Sequence, residues 1–441
     1  MDDQDRRISM DFQQQHQNMI LLNQAMALQV QGMNNVVNLV QMRRRRRNRA
    51  RAMRTRPWLL RRAQFGYYEN LMRELEAEDP SAYRGFVRCD PDMFREILER
   101  IRPRLTRQHN NYNTHQRPLD EGLMLAITMR YLATGQSYRS LMYGFRVAHN
   151  TICGVVKEVC QAILDEYEDD ILSAPATAQQ WEDIADQFAT RWNFHNVLGA
   201  LDGKHVAVVK PKNTGSLYYN YKKFTSIVLM ALVDADYKFI WIDVGAHGCC
   251  SDAQLWNNCE LKDAIENRLI DLPQPKPLPG DDKDMPYFIL ADDAFALSET
   301  LMKPFAHRQL SHDERIFNYR VSRARRVVEN AFGILVNRFR CMATSMCHDV
   351  STSILITTTC CLLHNLFRVR YPVNHVELLD REDQDHNLVQ GAWRQGVNMH
   401  DMDEVLRGNT SNKEAKAQRQ LLKIYYNSVG AVHWQERMIL Q

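Results

Sequence analysis

Three acidic positions stand in settings that suit metal-assisted phosphodiester chemistry: Asp202 in Ala200-Leu201-Asp202-Gly203, Asp292 in Ala291-Asp292-Asp293-Ala294-Phe295, and Glu329 in Arg326-Val327-Val328-Glu329-Asn330. Carboxylates can hold two oxygen-loving divalent ions about 4 Å apart, an arrangement that activates a water or hydroxyl and stabilises the leaving oxygen. Mg2+ suits the task because it binds carboxylate oxygens and keeps open positions for phosphate, and Mn2+ is the alternative. The three acids are so distant along the chain that only folding can bring them together. Taken singly each has an ordinary explanation, since an Asp after a strand often makes a turn and a helical Glu is usually solvated.

The elements around these acids give them a shared context. NVLGALDG with HVAVV, then TSIVLMALVDA, then FIWIDVGA read as three successive strands, each a β-branched apolar run bounded by Gly, Asn, Asp or Lys. Ser251-Asp252 lead a helix containing Leu255 and Trp256, and the prolines of DLPQPKPLPGDDKD predict a stiff surface loop. YFILADDAF is read as a fourth strand, and ERIFNYRVSRARRVVENAFGILVNRF as one or two helices carrying Glu329. SILITTTCCLLHNLF closes the region as a buried helix. Strands, a helix, a later strand and a terminal helix bearing Glu is the order expected of a ribonuclease-H-like nuclease.

Upstream, Trp58 to about Tyr167 reads as helical. Phe94, Ile97, Leu98 and Ile101 recur at helical spacing, and Asp120-Glu121 open the strongly apolar GLMLAITMRYLATG. Ser137 can cap YRSLMYGF, the turn Arg146-Val147-Ala148 follows, and His149-Asn150 start TICGVVKEVCQAIL. Two helices joined by a short turn match a helix-turn-helix in which His149, Asn150 and Thr151 face DNA while Ile152, Val155, Val156 and Val159 pack inward. An ordinary helical hairpin is the competing reading. Residues 1–40 are rich in Gln, Asn and Met and read as an arm; Arg43 to Arg47 with Arg49, Arg51, Arg54 and Arg56 suit nuclear import, phosphate contact or a solvated basic tail.

Composition narrows the class. In 441 residues 45% are apolar, and the net charge is only +3, so charge distribution is more informative than its total. The first residues lack the basic start and apolar run of a secretory signal, and no uninterrupted apolar stretch of membrane-spanning length is found, so a soluble, unexported chain is expected. None of the ten cysteines forms a Cys-x-x-Cys pair, which favours reduced structural thiols over zinc or disulfides.

Four blocks carry a family resemblance: LGALDGKHVAV, YYNYKKFTSIVLMALVDADYKFIWIDVG, DMPYFILADDAFAL and NYRVSRARRVVENAFGIL. From about Trp58 to Pro372 the chain resembles the PIF/Harbinger DDE transposases and their host-adapted nuclease relatives. That resemblance implies a DDE catalytic domain whose catalytic and metal-binding acids fall on Asp202, Asp292 and Glu329. The second acid of the family lies three residues before an aromatic, here Phe295, which selects Asp292 and leaves Asp293 as the fallback. Consecutive strand residues point to opposite faces, so only one of the two can readily join a site. Asp252 is a weaker candidate that helix capping explains equally well, His205 can simply flank its strand, and His364-Asn365 read as buried hydrogen-bonding groups. Lys204, Lys210, Lys212, Lys222 and Lys223 among Tyr218, Tyr219 and Tyr221 suit a nucleic-acid groove or, equally, a solvated connection.

The resulting expectation is an α/β chain: a flexible arm (1–57), a mostly helical domain with the helix-turn-helix (58–172), a linker and helix (173–190), a ribonuclease-H-like DDE nuclease domain (191–372) and a polar tail (373–441). The expected activity is divalent-metal-dependent DNA cleavage, with strand transfer where transposition is retained, in the nucleus and without membrane contact. The chain is expected to act as an oligomer on DNA, and the resemblance implies a separate Myb-like DNA-binding partner. The competing readings are a DNA-binding or chromatin regulator that keeps the fold without mobilising an element, and, more distantly, an RNA nuclease.

Overall fold

Three β-branched apolar runs form strands β1 (Val197–Ala207), β2 (Ser226–Val233) and β3 (Phe239–His247). The computed structural model describes residues 56–109, 119–306, 309–371, 379–394 and 412–440. β2 is buried along its whole length, which explains why its sequence shows no apolar-polar alternation. Two short strands, β4 (Phe288–Leu290) and β5 (Leu301–Met302), complete a sheet of order β3-β2-β1-β4-β5. β1 and β3 run antiparallel to β2, whereas β4 is parallel to β1 and β5 parallel to β4. This mixed sheet fits a ribonuclease-H-like arrangement.

The fourth strand is shorter than its sequence suggests. Beyond Leu290 the chain leaves the sheet, and the N–H of Ala294 closes onto the Asp292 carboxylate at 2.9 Å. β5 escapes sequence reading because two residues carry no periodicity. The proline-rich loop contains a two-residue antiparallel pairing of Lys276–Pro277 with Asp284–Met285.

Gln64–Gln441 form one compact unit. It begins with helices α1 (Leu71–Glu78), α2 (Pro80–Val87), α3 (Pro91–His109), α4 (Glu121–Thr134), α5 (Tyr138–Phe145), α6 (His149–Ile171) and α7 (Ala178–Trp192). α4 is capped by Asp120, which accepts the Leu123 N–H at 3.0 Å, and ends at Gly135 in the left-handed conformation (φ 65°) that glycine adopts without strain. α5 starts at the Ser137 cap, and Arg146, Val147 and Ala148 turn the chain into α6. His149, Asn150 and Thr151 are exposed there, while Ile152, Val155, Val156 and Val159 are buried.

After β3 come α8 (Asp252–Asn257) and α9 (Glu260–Glu266), and after β5 the long α10 (His312–Arg338), a single helix opened by a capping box between Ser311 and Glu314. α10 packs on β1 and β2, and α11 (Val350–Arg370) packs on β3 and α6. Asn365 ties these layers together, donating to the carbonyls of Ile171 (3.0 Å) and Phe239 (2.7 Å) and accepting the Phe239 N–H (2.9 Å). His364 likewise meets the Tyr237 carbonyl at 2.8 Å, so both residues have the buried hydrogen-bonding role expected of them. By length and composition α11 could cross a bilayer, contrary to the sequence expectation, but 72% of its apolar window is buried inside the protein. All ten cysteines are free thiols.

The C-terminal stretch, to which the sequence assigns no role, packs on α10. Helices α12 (Lys413–Tyr426) and α13 (Gln435–Ile439) contact it, and Arg320 of α10 donates to the Gly430 carbonyl (3.1 Å) and the Gln435 side chain (2.9 Å). Trp393 lies over Gly333, where a Cβ would come within 2.4 Å of its ring, and donates to Asn330 at 2.9 Å. Met1–Ala63 separate as a second unit, in which Pro57–Leu60 form one helical turn with Pro57 at its start. The Gln/Asn-rich arm and all of the arginine-rich segment but Arg56 lie outside the described residues.

Candidate metal centre

Register places the first two acids side by side. Ala200 of β1 pairs with Leu290 of the parallel β4, so two residues further along each chain Asp202 and Asp292 lie together where the sheet opens. Asp252 arrives from another direction, at the start of α8. Single carboxylate oxygens of Asp202, Asp252 and Asp292 all lie within 4.8 Å of one another. Asp252 is 1% exposed, and neither of its oxygens has a hydrogen-bond partner. Its approach depends on Gly203, because a Cβ there would sit 2.3 Å from Asp252 Oδ1.

Charge is poorly balanced at this centre. Burial holds the Asp202 carboxyl well above the usual carboxylate range; Arg325 opposes that rise, and the charges of Asp292, Asp252 and Glu329 add to it. Burial also pushes Asp252 up to about 7, with Asp292 reinforcing and Arg325 opposing the shift. The Arg325 guanidinium stands 3.9 Å from Asp202 Oδ2, too far for a tight ion pair. Clustered carboxylates with unpartnered buried oxygens and a distant cation form a donor set that fits a hard divalent ion such as Mg2+ or Mn2+.

The neighbouring acid is turned away. Asp293 pairs with Lys303 at 3.0 Å, and the same ammonium donates to the Asp293 carbonyl at 2.8 Å, so its charge is already neutralised. Glu329, on α10, is not one of the three clustered carboxylates, although its charge is felt at Asp202. Its side chain is 37% exposed and stands 3.5 Å from Arg394, which also pairs with Asp380.

Asp252 is not the cap of its helix. The cap of α8 is Ser251, whose Oγ accepts the Gln254 N–H while Gln254 reaches back to the Ser251 N–H, so capping does not account for Asp252. The signal was the acid after a strand in GCCSDAQ; what was hidden was the glycine on β1 that clears its path. Other candidates resolve as structural groups. His205 meets Ser226 Oγ at 2.9 Å between the rings of Tyr221 and Phe224, and Lys204 is buried over Phe332 rather than lining a groove. Lys210, Lys212, Lys223, Tyr219 and Tyr221 are exposed. Of the arginines near Glu329, Arg323 grips Glu382 with two hydrogen bonds (2.7 and 3.0 Å) and Arg326 adds a third at 3.1 Å.

Residues 201–365, which contain Asp202, Asp252, Asp292 and Glu329, match the family model of the DDE superfamily endonucleases. The chain is 23% identical to the Arabidopsis thaliana protein ALP1-like, over 69% of this chain and 72% of the relative. It is 24% identical to the Arabidopsis protein Antagonist of Like Heterochromatin Protein 1, over 68% of this chain and 76% of that one. Human HARBI1, a candidate nuclease by its name, is 25% identical over 48% of this chain and 57% of its own length. No solved structure matches. Sheet order, clustered acids and sequence similarity agree on a DDE-endonuclease-like domain within residues 201–365.

Proposed function

We propose that this chain is a divalent-metal-dependent DNA endonuclease in which Asp202, Asp292 and Glu329 are the catalytic acids. The observation that carries this reading is the meeting of the Asp202 and Asp292 carboxylates at adjacent parallel strand ends, close enough for Glu329 to influence Asp202. When bound there, one or two divalent ions would supply Lewis acidity toward a phosphodiester and acidify the attacking water. Asp202 and Asp292 would hold the ions, Glu329 would add its carboxylate from α10, and Arg325 tempers the accumulated negative charge. No covalent enzyme nucleophile is required. Where strand transfer is retained, the hydroxyl liberated by cleavage attacks a second strand at the same centre.

DNA is the proposed substrate. The exposed N-terminal residues of α6, His149, Asn150 and Thr151, with the buried apolar stripe behind them, support a helix-turn-helix role for α5 and α6. The arginine-rich segment supports nuclear import, and family resemblance supports a Myb-like partner and oligomeric action on DNA. The test is Mg2+- or Mn2+-dependent nicking by the purified full chain, with and without such a partner, beside Asp202→Asn and Glu329→Gln. Loss of nicking in both variants supports the assignment, and equal activity in all three proteins overturns it.

A second reading is a chromatin or DNA-binding regulator that keeps the fold without mobilising an element. The name of the Arabidopsis relative Antagonist of Like Heterochromatin Protein 1 favours it. Metal-independent DNA binding with no cleavage by wild-type protein under either ion would select this reading over the first.

A further inference from the structure

Three acids are almost completely buried among the described residues: Asp234, Asp252 and Asp380. Two of them are fully accounted for. Asp234 accepts the N–H groups of Asp236 and Lys238 (2.8 and 2.9 Å) and pairs with the Lys238 ammonium at 3.3 Å. Asp380 accepts the Gly391 N–H at 2.8 Å and grips Arg394. Asp252 is as deeply buried, yet both its oxygens lack a partner and one faces the carboxylates of Asp202 and Asp292. A buried carboxylate without hydrogen bonds or a counter-charge is strongly unfavourable unless it is neutralised. The helix cap, which Ser251 provides, does not engage Asp252, and Arg325 offsets its burial only in part, without a hydrogen bond.

We propose that Asp252 is a direct metal ligand, sharing a divalent cation with Asp202 and Asp292, and that Gly203 exists at its position to admit that carboxylate. This rests on the metal-dependent reading above and extends it from three acids to four. In this arrangement Asp202, Asp252 and Asp292 form the enclosed part of the centre. Glu329, more exposed and held beside Arg394, forms its open edge toward substrate. The competing account is that Asp252 stays protonated as a neutral filler and never touches the ion.

Mn2+ binding to the DNA-free full-length protein separates the two accounts, read by titration calorimetry and by loss of the free-ion electron paramagnetic resonance signal. Asp252→Asn is nearly isosteric, and it is expected to weaken Mn2+ binding at least about tenfold, the lower range seen when groups supporting a metal site are removed. The melting temperature of the metal-free protein should hold or rise, because an uncompensated carboxylate has gone, while the upward shift produced by Mn2+ should shrink. Gly203→Ala keeps the carboxylate but blocks its approach, and should weaken Mn2+ in the same direction; it decides the matter if Asp252→Asn fails to fold. Wild-type affinity in both variants, alongside loss of binding in Asp202→Asn, overturns the proposal and leaves the three-acid reading intact. Absence of Mn2+ binding in the wild-type protein overturns both.

Discussion

Two groups of acids flank α10, and they have opposite electrostatic characters. At one, Asp202, Asp252 and Asp292 bring carboxylates together, with Arg325 no closer than 3.9 Å to Asp202. At the other, Asp380 and Glu382 meet Arg323, Arg326 and Arg394 in short, multiple hydrogen bonds. The paired group fastens residues 380–394 to α10, where its charges are cancelled within the protein. The clustered group keeps an excess of negative charge that Arg325 only partly offsets. Residue type is shared, so the decisive difference is the presence of a partner: a satisfied buried charge indicates structure, and an unsatisfied one indicates a site.

The largest test of this contrast is chemical. Asp202→Asn or Asp292→Asn should slow Mg2+-dependent nicking about a thousandfold, equivalent to roughly 4 kcal/mol of lost transition-state stabilisation, in single-turnover assays. Glu382→Gln, folded to the same extent, should leave the metal dependence of cleavage in place; a comparable collapse of nicking would erase the distinction between the two groups.

Stability should respond in the reverse order. Glu382→Ala strands the buried Arg323 guanidinium and is expected to lower unfolding free energy by roughly 3 kcal/mol in a urea titration, the scale of a broken buried pair. Arg394 links the paired group to Glu329, since it contacts both Asp380 and Glu329. Arg394→Lys keeps the charge and loses the planar grip, so nicking should fall about tenfold through misplaced Glu329, with little change in Mn2+ affinity. The smallest effect on nicking is expected at Asp293: its pairing with Lys303 is structural, so Asp293→Asn should retain nicking while lowering stability by roughly 3 kcal/mol, the scale of a largely buried pair. Nicking lost in Asp293→Asn and kept in Asp292→Asn would exchange their roles.

Local patterns foretold much of this molecule. β-branched runs marked the first three strands, and Asp120 and Ser137 capped the helices they were expected to open. These features depend on a few adjacent residues, so adjacent residues reveal them. β5 is two residues long and leaves no periodic trace. The docking of residues 379–394 on α10 depends on cations and acids more than 50 residues apart, which no local pattern couples.

The acids themselves show the same division. By itself the sequence determined which strand carries Asp202, which strand leads into Asp292 and which helix carries Glu329, because strand alternation and helical periodicity are written into neighbouring side chains. Only the tertiary structure decided which acids meet. Parallel register between β1 and β4 put Asp202 beside Asp292, Lys303 neutralised Asp293, and a glycine on β1 opened space for Asp252. Burial and the absence of a partner are properties of three-dimensional surroundings, and they distinguish a carboxylate that could hold a metal from one that merely caps a helix.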